Sequence, residues 1–276
     1  MSKNPNAWSF SKSQVWNTCK KMYYFSYIKR FDSDELGKIV SELYNLSSIQ
    51  MHKGELVHRA IENYIQNVLC GAKYNLNHAA KVAATKIDYI CAEKKTTEQT
   101  NGLILSEDFI NKIKNEILKC LHTFESVWPI ISNYQSILIE KYDSFKYGDV
   151  EITVKPDYVV KDEEKVIIFD WKTGSKKDDD FYQSIVYSIY AMDKFNLSEK
   201  DISVVLVYLS DCKKYKVTPD HKYIENIEKR IVRENDEMNM LDYIPEVNLM
   251  EYCIFCKYYT ICELQRYNKN AEKIIV

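Results

Sequence analysis

Four apolar residues, Val166-Ile167-Ile168-Phe169, run without interruption into Asp170-Trp171-Lys172. A short β-branched run of this kind fits a strand buried on both faces. Such a strand has little freedom in where it can sit, because it must lie inside a sheet. Placing a carboxylate and an ammonium at its end then demands a reason, since buried charge is costly unless it is paired or used. Asp170 and Lys172 are two residues apart, so on a strand their side chains leave the same face.

The surrounding chain supplies a matching hairpin. Upstream, alternation at Ile137, Ile139, Val150, Ile152 and Val154 and the run Tyr158-Val159-Val160 read as short strands. Tyr147-Gly148-Asp149 and Lys161-Asp162-Glu163-Glu164 read as the turns between them. If the last two strands pair, Asp157 in Lys155-Pro156-Asp157 comes beside Asp170. Two convergent carboxylates suit Mg²⁺ or Mn²⁺, which take hard oxygen ligands. Lys172 could then orient or deprotonate a water, or neutralise charge on a phosphate.

Helical patterns dominate the rest. One is expected from Ser9 or Ser11 to about Arg30, followed by a polar linker over 32–50, and others over about 52–70, 77–95 and 106–128. Further helices are expected at 180–195 and 221–242, with strands at Ile202 to Leu209 and near Tyr215–Val217. The order is helices, an antiparallel meander, helix, strand and helix, which predicts a mixed α/β core with an N-terminal helical portion. In Gly54-Glu55-Leu56-Val57-His58, His58 offers a nitrogen ligand and shares a helical face with Glu62. Gln183 and Tyr187 share a face of the helix that follows Lys172.

Composition narrows the chemistry. Only six glycines occur in 276 residues, and neither a Walker A pattern nor GxGxxG is present, which argues against a P-loop motor or a dinucleotide enzyme. The net charge of −2 disfavours a non-specific nucleic-acid coat, yet leaves room for one basic groove. Met1-Ser2-Lys3-Asn4-Pro5 carries no apolar stretch and no run is long enough to span a bilayer, so a cytoplasmic protein without membrane contact is expected. Eight cysteines in such a compartment point to a metal site plus buried thiols. Cys253, Cys256 and Cys262 form a C-x2-C-x5-C cluster, and Cys19 is the candidate fourth ligand. On chemistry alone, tetrahedral Zn²⁺ and an iron–sulfur cluster both fit. Cys70, Cys91, Cys120 and Cys212 read as buried bystanders.

Together, Gly54/His58, Asp157, Asp170/Lys172 with Thr173-Gly174, and Gln183/Tyr187 resemble the RecB-like branch of the PD-(D/E)XK nucleases, in that branch's order and over roughly residues 9–265. The resemblance implies a restriction-endonuclease-like core: a mixed central sheet flanked by helices, as a single nuclease domain over 1–276 with a helical insertion at 71–133. It implies His58, Asp157, Asp170 and the Trp171 carbonyl as metal ligands and Lys172 as the catalytic lysine. Gln183 and Tyr187 would position DNA or the active-site strands, and Glu140 could support the site from the first strand. The cysteine arrangement is similar to that of AddB-type and CRISPR-adaptation exonucleases. This implies a [4Fe–4S] cluster, rather than Zn²⁺, on Cys19 and the segment 249–265. The implied activity is hydrolysis of DNA, with trimming of single-stranded or frayed ends in repair, recombination or CRISPR adaptation. Helicase or CRISPR-adaptation proteins are the implied partners. The competing expectation is a non-catalytic iron–sulfur DNA-binding or assembly subunit with a vestigial nuclease site.

Overall fold

The computed structural model describes residues 7–247 and 251–262. Positions 249–250 and 263–265 of the cysteine-bearing tail, and the opening Met1–Pro5, lie outside the described residues. In chain order the elements are β1 (Trp8–Ser9), α1 (Phe10–Thr18), α2 (Lys20–Tyr27), α3 (Glu35–Tyr44), α4 (Ile49–Leu69), α5 (Leu76–Ala92), α6 (Thr97–Thr100) and α7 (Glu107–Ile131), then β2 (Gln135–Ile139), β3 (Asp143–Tyr147), β4 (Val150–Val154), β5 (Tyr158–Asp162), β6 (Lys165–Lys172), α8 (Asp178–Phe195), β7 (Ile202–Tyr208), β8 (Lys213–Val217) and α9 (His221–Asn239). Short 3₁₀ turns cover Lys29–Phe31, Glu199–Asp201, Glu251–Phe255 and Tyr259–Ile261. The chain divides into two compact units.

The described residues of the first unit are 7–10, 57–80 and 118–241. Its main sheet runs β2-β5-β6-β7-β8, with β6 and β7 parallel and the other neighbours antiparallel. The hairpin expected at Lys161–Glu164 forms, with Asp162 opposite Lys165 and Tyr158 opposite Phe169. Strand alternation divides β6 cleanly. Phe169 and Trp171 face α7, where Trp171 meets Phe124 at 5.4 Å between ring centroids. Asp170 and Lys172 face α8, where Lys172 reaches Gln183. The α8 helix carries the β6–β7 crossover. It starts where Lys177 N–H donates to Asp180 Oδ2 at 2.9 Å and stops at Asn196, whose φ of 52° ends the helix in the left-handed region.

The expected meander is corrected here. β3 and β4 do pair through Tyr147-Gly148-Asp149, but they belong to a separate three-stranded sheet, β1-β4-β3, in which β1 lies parallel to β4. The departure begins at Glu140, immediately after β2. Its φ of 44° swings the chain out of the main sheet, and its N–H is retained by the Asp157 carbonyl at 2.8 Å.

The described residues of the second unit are 11–56, 81–117, 242–247 and 251–262. Here the single expected N-terminal helix is two helices: Cys19, extended at φ −159°, breaks it. The supposed linker over 32–50 contains α3. Asp34 caps it by accepting from Gly37 N–H at 2.7 Å, and Val40 and Leu43 bury against Phe25 and Tyr258. Glycine is required at 37, because a Cβ there would lie 2.3 Å from the Asp32 carbonyl oxygen. The polar stretch 94–102 likewise holds the short α6, capped by Thr96.

Candidate functional site

The first unit gathers one polar cluster at the end of β6. Asp157 stands one residue before β5 and therefore beside Asp170, as the hairpin register requires. Its Oδ2 accepts from Trp171 N–H at 2.7 Å, and its Oδ1 lies 3.3 Å from His58 Nδ1. His58 arrives from α4, and the same nitrogen lies 2.9 Å from Glu140 Oε1. Glu140, with a side chain only 4% exposed, also binds Lys155 Nζ through Oε2 at 2.5 Å. Ligand atoms of His58, Glu140 and Asp157 all lie within 4.8 Å of one another.

Lys172 is the hub of the other half. Its Nζ donates to Gln183 Oε1 at 2.6 Å, pairs with Asp170 Oδ2 at 2.6 Å and lies 3.7 Å from Asp180 Oδ1. Gln183 in turn donates to the Tyr187 hydroxyl at 2.9 Å, and that hydroxyl donates to the Lys155 carbonyl at 3.0 Å. Gln183 and Tyr187 thus tie Lys172 on β6 to the segment before Asp157. Asp180 is fixed from behind by the Tyr208 hydroxyl at 2.6 Å, on β7 opposite Lys172.

Electrostatics follows from this packing. Burial pushes the Asp170 carboxyl up to about 7, with Lys172 opposing and Asp157 reinforcing the rise. Burial also works against the charge on Asp157, but His58, the Trp171 N–H and Lys172 outweigh it and hold that carboxyl below its usual value. Burial disfavours a charged His58, yet Asp157 and Glu140 keep it well above the ordinary histidine range. The cluster thus holds excess negative charge that only His58 and two lysines offset.

The donor set fits a hard divalent cation. It offers carboxylate oxygens from Glu140 and Asp157, one imidazole nitrogen, and the nearby Asp170, whose Oδ2 is buried without an oriented hydrogen bond. Trp171 contributes its N–H to Asp157, while its indole is buried among aromatic rings. Glu62, one turn along α4 from His58, accepts from Gln66 Nε2 at 3.1 Å. Sequence reasoning gave Glu140 only a supporting part and missed Lys155, Asp180 and Tyr208 altogether. The acidic start of α8, Asp178-Asp179-Asp180, was the available signal, because acids belong at a helix N-terminus and one of them was free to face Lys172.

The family model of the PD-(D/E)XK nuclease superfamily matches residues 7–263. The chain belongs to that superfamily. Its mixed α/β core is the PD-(D/E)XK nuclease fold. PD-(D/E)XK nucleases work with divalent metals, in keeping with the His58/Glu140/Asp157 donors. No curated protein matches the sequence. Among solved structures, a protein from Eubacterium rectale described as a "putative exonuclease" is similar at 13% identity and a TM-score of 0.47, covering 99% of this chain and 92% of its own. The protein SSO0001 is similar at 17% identity and a TM-score of 0.34, covering 77% and 96%.

In the second unit, Cys19, Cys253, Cys256 and Cys262 are all part-buried. The Cys256 thiol is pushed up to about 11, chiefly by burial, with the neighbouring Cys19, Cys262 and Cys253 adding to the rise against one backbone N–H. The four sulfurs are therefore electrostatic neighbours, although 234 positions separate the first from the second in sequence. Of the supposed bystanders, Cys91 and Cys120 are buried as expected, but Cys70 and Cys212 are exposed. Both sit at turns just outside apolar segments, so the neighbouring hydrophobicity misled. Among the described residues, no helix is long and apolar enough to cross a membrane.

Proposed function

We propose that this protein is a metal-dependent deoxyribonuclease that trims single-stranded or frayed DNA ends. The observation that carries the reading is the convergence of His58, Glu140 and Asp157 beside the Asp170–Lys172 pair. His58, Asp157 and Asp170 would hold Mg²⁺ or Mn²⁺ together with the Trp171 carbonyl, and Glu140 would join them. A bound ion would polarise the phosphate and acidify a water. Lys172, aimed by Asp170, Gln183 and Asp180, would offset charge developing on the phosphate. Tyr187 and Gln183 would keep the two strands in register around it.

Cys19, Cys253, Cys256 and Cys262 would hold a [4Fe–4S] cluster that joins α2 to the C-terminal segment. The grouping of four thiols supports this reading. The helical stretch 71–133 would be an insertion, and DNA-processing machinery of repair, recombination or CRISPR adaptation, including a helicase, is the expected company.

Anaerobically purified protein should degrade end-labelled single-stranded DNA with Mn²⁺ or Mg²⁺ and not with EDTA. Asp170→Ala and Lys172→Ala should each lower the rate by about 10²–10³. Folded wild type that binds DNA but cleaves no faster than these variants would overturn the assignment.

A further inference from the structure

The second unit, which carries none of the carboxylate-site residues, holds a gathering of cations on aromatic rings. The Arg30 guanidinium lies 3.8 Å from the Tyr44 ring centroid and 4.4 Å from that of Phe31. Lys257 Nζ lies 4.9 Å from the same Tyr44 ring and donates to the Tyr44 carbonyl at 2.7 Å. The acids nearest in sequence, Asp32 and Asp34, are committed to Lys29 at 2.9 and 2.5 Å. Among the described residues, no carboxylate pairs with Arg30 or Lys257. Arg30 Nε is buried and has no hydrogen-bond acceptor. A buried donor left unmade weakens a fold, so the pattern suits a site completed by an acceptor from outside.

That acceptor should be an anion, because two cations converge on one ring and no carboxylate among the described residues pairs with either. Phe31 narrows the class further. It is 63% exposed while lying against the guanidinium, which leaves a bare aromatic face next to an anion site. Cations beside an open ring are the elements by which proteins hold unpaired nucleotides irrespective of sequence: phosphate on the charge, base on the ring. A base within a duplex could not reach such a ring.

We propose that Arg30, Lys257 and Phe31 bind one unpaired nucleotide of a single-stranded nucleic acid, with its phosphate on the two cations and its base stacked on Phe31. The nuclease reading supplies only the purpose, which is to hold the strand being processed.

The test uses the full-length, cluster-loaded protein and a 5′-fluorescein-labelled dT20, with binding read by anisotropy between 50 and 200 mM KCl without added divalent metal. Arg30→Gln and Lys257→Gln should each weaken binding about tenfold at low salt, and the two together should flatten the salt slope by about 0.7, the share of the one phosphate they hold. Phe31→Ala should weaken dT20 binding about tenfold at an unchanged slope and leave a blunt duplex of equal length unaffected. Inorganic phosphate at millimolar concentration should compete only weakly, since it cannot use Phe31. Wild-type affinity in both charge variants with a wild-type slope when they are combined, or wild-type dT20 affinity in Phe31→Ala, would overturn the proposal. Phe31→Ala alters an exposed position, so it keeps the test decisive should Arg30→Gln fail to fold. Hydrolysis of thymidine 5′-(p-nitrophenyl phosphate) reports on the carboxylate site alone and should be unchanged in all three. If the wild type binds dT20 through Arg30 and cleaves nothing, the nuclease reading fails and this one stands.

Discussion

At the scale of single residues, Glu140 is the most instructive. It adopts a left-handed backbone that costs a non-glycine residue about 1 kcal/mol or more. It is retained because the side chain meets both His58 and Lys155 while the N–H meets the Asp157 carbonyl. Glu140→Gln keeps the shape and removes the charge. Titration calorimetry on metal-free protein should show Mn²⁺ affinity lower by about 10–100-fold. Unchanged affinity would reduce Glu140 to a structural support. The pair Asp170 and Lys172 was legible from the sequence because strand alternation is rigid and a charge ending a buried strand stands out. Glu140 was hardly legible, since its importance rests on a backbone angle that no local residue pattern announces.

Among elements, the contact between β3 and α8 carries a prediction about pH. Asp143 Oδ2 accepts from the Tyr190 hydroxyl at 2.9 Å and pairs with Lys194 at 2.8 Å. Burial alone would raise this carboxyl, but Lys194 and Tyr190 outweigh it and hold it below its ordinary value. The folded value is thus lower than the unfolded value near ~3.9. The stabilisation is complete above that pH and disappears as pH falls through the folded value. Asp143→Asn should cost about 1 kcal/mol at pH 6, allowing for solvent around the half-exposed Lys194, and less at pH 2. Urea midpoints of variant and wild type at the two pH values would show this, and an equal gap at both would refute it. The hairpin between β5 and β6 was readable from its charged turn, as was α8 from its periodicity. The split into two sheets was not, because β2 and β3 look alike as strands and only the turn at Glu140 separates them. The α3 helix was hidden by polar residues and by Gly37, whose place depends on the distant-looking Asp32 backbone.

For the molecule as a whole, the cysteines matter most. The second unit is assembled from three separate stretches of chain, and Cys19 belongs to the first while Cys253, Cys256 and Cys262 belong to the last. A group bound by all four would clasp the two ends of that unit. Cross-links closing loops of a hundred residues or more contribute about 4–5 kcal/mol. Cys19→Ser should therefore lose iron and melt well below wild type, as read by metal analysis and calorimetry on the same sample. A Cys19→Ser protein with full iron content and wild-type melting would rule out the fourth-ligand role. Sequence spacing groups three of these thiols at once, whereas Cys19 entered only as a candidate fourth ligand, because no spacing rule connects positions so far apart.

The outer strand β8 has a consequence of a different kind. It ends the main sheet, and the ladder groups on its far side find no further strand among the described residues. Its sequence, Lys213-Lys214-Tyr215-Lys216-Val217, places three ammonium groups along that border. Two such borders brought together would set like charges against each other, so the sheet resists recruiting a second copy or a misfolded chain. Replacing Lys214 and Lys216 with threonine keeps the strand propensity and leaves Lys213 as the one ammonium there, which lowers that repulsion. Light scattering at raised protein concentration should then show self-association that the native protein avoids, and its absence would mean that solubility is guarded elsewhere.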